Sequence, residues 1–147
     1  MIKNIINQFP HLTEGSFSIT SPKDVRYNCI AWAAGDDGTW WWPDNFSLGY
    51  WPSDVPREET LESFIGLFES SDYIPCNSSS LEDGFEKIAL FVDLQGRPTH
   101  AAKQLSSGKW TSKLGQLEDI EHDTLEGLSG PIYGSVSVIM KRPSRER

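Results

Sequence analysis

Helical and strand-like patterning occupy different stretches of this chain, and that order limits what it can fold into more than any other feature. The clearest helix is 57–71, where Leu61, Phe64, Ile65 and Phe68 recur at i, i+3, i+4 and i+7. Glu58 and Glu59 sit where the helix dipole favours acidic side chains. The later apolar segments read mainly as strands. Residues 87–93 are a short apolar run, 95–98 carry a turn with Gly96 and Pro98, and 99–105 continue as the neighbouring strand. Ser106, Ser107 and Gly108 turn the chain into 109–113, and 134–140 alternates with Val136 and Val138 on one face. Helices first and an antiparallel meander afterwards predict an α+β fold, N-terminal helices packed on a C-terminal antiparallel sheet.

The remaining segments are read by their punctuation. Residues 1–23 mix Pro10, Gly15 and Pro22 with Ser and Thr, which predicts a lead-in arm of turns and extended chain. In 24–34, Asp24 can cap free amides, good helix formers follow, and Gly35 is a stop, so Cys29 falls in the first turns of a helix. Trp40, Trp41, Trp42, Trp51, three prolines and two glycines break every period across 36–56, predicting a long aromatic loop. A Ser-rich link follows at 77–80. Leu117, Ile120, Leu125 and Leu128 in an acidic stretch predict a short helix over a sheet edge or end. No internal repeat is present.

A chain of 147 residues, 37% hydrophobic and 12% aromatic, can bury a core without metal or disulfide staples and is expected to form one domain, 1–147. The net charge of −8 repels phosphate backbones, so nucleic acid is excluded as an expected partner. The start lacks the apolar core of a signal peptide, and no run of about 18 apolar residues offers a membrane span. A cytoplasmic location is the expectation, and Cys29 and Cys76 are then thiols.

A thiol attacks carbonyls as thiolate, and a helix start supplies partial positive charge and free amides that favour the anion. Cys29 is placed for both effects, although a small buried hydrophobe is the ordinary role of a free cysteine. His100, at the start of a strand beside Ala101 and Ala102, is placed as a general base, against the ordinary role of a histidine bonded to a loop carbonyl.

Tyr27, Asn28 and Cys29 opening a helix, then a buried strand, then Thr99, His100, Ala101 and Ala102 opening a strand that turns back through Gly108, resemble the papain-like fold. The resemblance is to its compact bacterial NlpC/P60 and CHAP type and spans roughly 26–113. It implies Cys29 as nucleophile, His100 as base and Ser112, twelve residues beyond His100, as the polar residue that orients the imidazole. Asp119 and His122 are alternatives for that third place. No Gln matches the family's usual oxyanion donor upstream of the cysteine, which leaves backbone amides or Tyr27. The 27–33 run, Trp40 to Pro43 and 109–115 also resemble a group of bacterial proteins without an assigned activity.

The expected function is therefore a cysteine hydrolase or acyltransferase acting on a peptide, isopeptide or acyl-amide substrate, with no cofactor. Tyr27, Asn28, Trp41, Trp42 and Trp51 are the candidate substrate-binding residues. The alternative is an inactive binding or immunity-type module whose Trp-rich loop contacts a protein partner. Cys29, Cys76, His100 and His122 would make a zinc set if they converged, but neither CxxC nor HxxxH spacing supports it, and no metal is expected. Asp36, Asp37 and Gly38 resemble a calcium loop without its later ligands. The phosphate-loop, dinucleotide and serine-elbow motifs are missing.

Overall fold

The computed structural model describes residues 2–44, 46 and 48–144. The elements are α1 (Ile2–Gln8), β1 (Phe17–Ser21), α2 (Cys29–Ala34), α3 (Leu61–Glu69), β2 (Ile74–Cys76), β3 (Phe85–Val92), β4 (Pro98–Gln104), β5 (Trp110–Lys113), β6 (Asp119–His122), a 3-10 turn (Glu126–Leu128) and β7 (Ser135–Pro143). The strands form one seven-stranded antiparallel sheet in the order β1-β6-β5-β4-β3-β7-β2. The α+β class holds, with a meander from β3 to β6. The segregation is less strict than the sequence suggested: β1 lies between two helices, α1 and α2, near the start of the chain.

Successive residues of β3 alternate between two cores, which places one core on each face of the sheet. Ala89 and Phe91 join Ile5, Phe9, Leu12, Trp110 and Ile120, so α1 and its exit cover the first face. Ile88 and Leu90 join Ile30, Ala33, Phe64, Leu67 and Trp51, so α2, α3 and the aromatic loop cover the second. No helix among the described residues is long and apolar enough to cross a membrane.

Four local expectations are corrected. The lead-in arm contains α1, whose exit residue Phe9 is buried with Ile5 one turn earlier. Helix α2 begins at Cys29 with Asn28 as N-cap, because Asp24 pairs instead with Arg26 at 2.7 Å. The stretch 117–128 gives β6 and only a 3-10 turn, since β6 is needed to bridge β1 and β5. Val136 and Val138 do not share a face: Phe91 pairs with Val136 and Leu90 with Val138, so Ser137 is an extra residue that bulges β7. The two valines then pack against different cores.

Candidate functional site

Asn28 builds the start of α2 and ties the aromatic loop to it. Its Oδ1 accepts the N–H groups of Ala31 (3.1 Å) and Trp41 (3.2 Å), and its Nδ2 donates to the Trp41 carbonyl at 2.8 Å. Gly35, with φ +95°, ends the helix in the left-handed region open to glycine. The chain entering α2 is fixed by Lys113. Its Nζ is buried and donates to the carbonyls of Asp24 (2.6 Å) and Gly115 (2.5 Å), 4.9 Å from the Tyr27 ring centroid. Tyr27 is itself turned inward, its hydroxyl donating to Asp119 at 2.7 Å.

The loop side chains mostly build walls. Trp41 donates its indole N–H to Asp36 and packs on Tyr50, and Asp36 also accepts the Gly38 amide, which explains the calcium-like residues as a local turn. Trp51 is buried on Phe64 with its indole N–H on the Pro56 carbonyl. Trp42 meets Phe64 edge-on and also borders an apolar cleft of about 290 Å³. Asn28 and Cys29 form one side of that cleft, with Trp40, Thr99, Gly115 and Tyr133 completing it. Of the five expected substrate-binding residues, Asn28 and Trp42 line the cleft, while Tyr27, Trp41 and Trp51 do not.

His100 sits fully buried on β4, its ring stacked on Tyr133 at 4.0 Å and edge-on to Phe91 at 5.3 Å. Its Nε2 lies 3.0 Å from Ser112 Oγ on β5, and the same hydroxyl lies 2.8 Å from His122 Nε2 on β6. His122 Nδ1 is 2.8 Å from the Thr124 carbonyl. The structure therefore joins His100 to both Ser112 and His122, while Asp119 is engaged by Tyr27 instead. His100 Nδ1 is buried and has no hydrogen-bond partner among the described residues.

Cys29 is 5% exposed and packs in the second core, whereas the His100 ring contacts Phe91 and Tyr133 of the first. Among the described residues no hydrogen bond joins the thiol to the imidazole. Burial pushes the thiol up to about 11, against the opposing pull of the Ala101, Ile30 and Cys29 amides and the Lys113 charge. The lowering expected from the helix start is thus outweighed by desolvation. Burial, with some repulsion from His122, likewise holds His100 well below the usual histidine value, and burial takes His122 down to about 4. Both members of the expected pair rest uncharged at neutral pH.

Tyr133 is the residue the sequence did not reveal. It stacks on His100 and lines the cleft with Cys29, carried by a loop closed by reciprocal bonds between Gly130 and Gly134 (2.9 and 2.8 Å) and by Thr99 donating to the Tyr133 carbonyl. Tyr133 and Gly134 in a Gly-bounded pentapeptide were the available signal. The zinc set does not assemble: Cys76 lies on β2 at one edge of the sheet, far in strand order from β6, and no metal-holding cluster of three or more such side chains occurs among the described residues. No curated protein and no solved structure shows significant similarity to the chain. A family model described as a domain of unknown function (DUF7689) matches residues 18–141, the stretch carrying Cys29, His100, Ser112 and His122, and the chain belongs to that family.

Proposed function

We propose that the protein is a papain-like thiol hydrolase or acyltransferase acting on a peptide, isopeptide or acyl-amide bond, with Cys29 as nucleophile and His100 as general base. The observation that carries this reading is the condition of the His100 ring: Nε2 is held by Ser112, and Nδ1 is buried without a partner among the described residues. Tyr133 links that ring to the cleft that Cys29 borders. Packing of α2 against β4 and β5, the strands that carry His100 and Ser112, supports the papain-like architecture. Two free thiols support a reducing, cytoplasmic setting.

Because thiol and imidazole both rest neutral, the chemistry runs by general-base catalysis rather than from a stored thiolate–imidazolium pair. At rest the thiol and the imidazole pack in different cores, so proton transfer requires a rearrangement at β4 and Tyr133 that brings Nδ1 to the sulfur. His100 Nδ1 takes the Cys29 proton as sulfur bonds to the carbonyl carbon. The tetrahedral intermediate collapses, the amine leaves with the proton from His100, and water or an acceptor amine resolves the thioester. The amides of Ala101, Cys29 and Ile30 favour negative charge at the sulfur. The apolar cleft suits an uncharged peptide-like group.

A second reading has its own support. A 5% exposed thiol not bonded to His100 fits a binding or immunity-type module, with the Trp-rich loop presenting Phe46 (84% exposed) and Leu48 (86% exposed) to a protein partner. Iodoacetamide labelling of the folded protein separates the two, with Cys76 as internal control. The hydrolase reading expects labelling at Cys29 that slows in His100→Ala. Protection of Cys29 in both proteins until unfolding would favour the module.

A further inference from the structure

We propose that His122 is a positioning residue that acts on His100 through Ser112, two strands away, and fixes which nitrogen of His100 carries the proton. The inference rests on the reading of His100 as general base, and extends it to a residue that touches neither the cleft nor the thiol.

The direction of the chain follows from its far end. A carbonyl only accepts, so His122 Nδ1 must donate to Thr124, across 2.8 Å. Neutral His122 then presents a lone pair at Nε2, and the only hydrogen available to that 2.8 Å contact is the Ser112 hydroxyl proton. With its proton committed there, Ser112 Oγ meets His100 Nε2 as an acceptor, across 3.0 Å. His100 is thereby held as the Nε2–H tautomer, and the lone pair falls on Nδ1, the nitrogen without a partner. A lone serine at the orienting position would not suffice, because a hydroxyl can rotate to donate to His100 and select the opposite tautomer. His122 removes that freedom.

Sheet geometry makes the chain possible. Ser112 pairs with Ile120 across β5 and β6, so His122 is the same-face neighbour diagonal to Ser112. Trp110, opposite His122, is buried and packs in the first core beneath it. The polar chain is therefore enclosed, with solvent unable to supply a competing donor.

Two-bond and one-bond ¹H–¹⁵N correlation spectra of ¹⁵N-histidine-labelled protein at neutral pH read the tautomers directly, with exposed His11 as the reference signal. The expected result is a single Nε2–H tautomer for His100 and a single Nδ1–H tautomer for His122. In His122→Phe, which keeps a ring but removes the acceptor, His100 loses its single tautomer; in His122→Gln, whose amide oxygen can accept from Ser112, it keeps it. Ser112→Ala against Ser112→Thr repeats the comparison should the Phe variant fail to fold. A proton on Nδ1 of wild-type His100, or an unchanged His100 in folded His122→Phe, would overturn the proposal. These spectra do not depend on Cys29, so an inert thiol with the expected tautomers would sink the hydrolase reading alone.

Discussion

Gly134→Ala is expected to destabilise the protein by about 3 kcal/mol or more, enough to remove much of a typical domain's stability. Gly134 adopts φ +74°, and a Cβ there would stand 1.9 Å from the Val92 carbonyl oxygen and 3.0 Å from Asp93 Cα. Both obstacles are backbone at the end of β3, so no side chain can move aside. The same residue exchanges two backbone hydrogen bonds with Gly130, which close the loop that holds Tyr133 on His100. Relief of the clash must therefore open that loop. Urea unfolding followed by tryptophan fluorescence and circular dichroism measures the loss. Gly15→Ala, with nothing within 4 Å of its Cβ, is the matched control and should shift the midpoint little. Equal midpoints for the two variants would contradict the geometry.

Acid is expected to weaken the fold by several kcal/mol before most carboxylates titrate. In the unfolded chain His100 and His122 take up protons near 6.5, whereas in the fold burial keeps His122 neutral down to about 4 and His100 well below its usual value. Between those limits the unfolded chain binds more protons, so stability is full above about pH 6.5 and falls as pH drops toward 4. The His122 shift alone corresponds to about 3 kcal/mol. Asp24, held down at about 2 beside Arg26, titrates below this window and does not account for the loss. Urea midpoints at pH 7 and pH 4.5 test the effect. A clear fall, reduced in His122→Gln, is expected; no change over that interval would show that the histidines are not buried as a neutral chain.

The parts of the fold that the sequence made legible are those where local pattern and tertiary demand agree. Strands β3, β4 and β5 are apolar or bounded by Gly96 and Gly108, and α3 has its 3.6-residue stripe, although it starts at Leu61 after the Thr60 cap, so Glu62 and not Glu58 or Glu59 is the acidic residue of its first turn. Where buried residues are polar, the pattern disappears. Asp119 and His122 of β6 are fully buried through partners on other elements, so only the leucines around them spoke, and they suggested a helix. Helix α1 was masked by Pro10 and Gly15, although Ile2, Ile5, Ile6 and Phe9 carry helical spacing. The bulge at Ser137 leaves no mark in a sequence read by strict alternation.

The candidate site divides along the same line. His100 and Ser112, twelve residues apart, are joined by a strand, a Gly108 turn and a strand, so their approach follows from local geometry. His122 joins them because β6 continues the meander, which required β6 to be recognised. The relation of Cys29 to His100 depends on how α2 docks on the sheet, a long-range result set by Lys113, Asn28 and the aromatic loop. Burial of the thiol, which outweighs the amides around it, is a property of that docking and not of the 27–33 motif.

Single-turnover acylation by p-nitrophenyl acetate reads whether His100 takes the proton from Cys29. Release of p-nitrophenolate is followed by absorbance and the modified residue is located by mass spectrometry. Acetylation of Cys29 in preference to the more exposed Cys76 is expected, with a loss of roughly 10²- to 10⁴-fold in that rate in His100→Ala, the size of a general-base contribution. Acetylation confined to Cys76, or a Cys29 rate indifferent to His100, would contradict it.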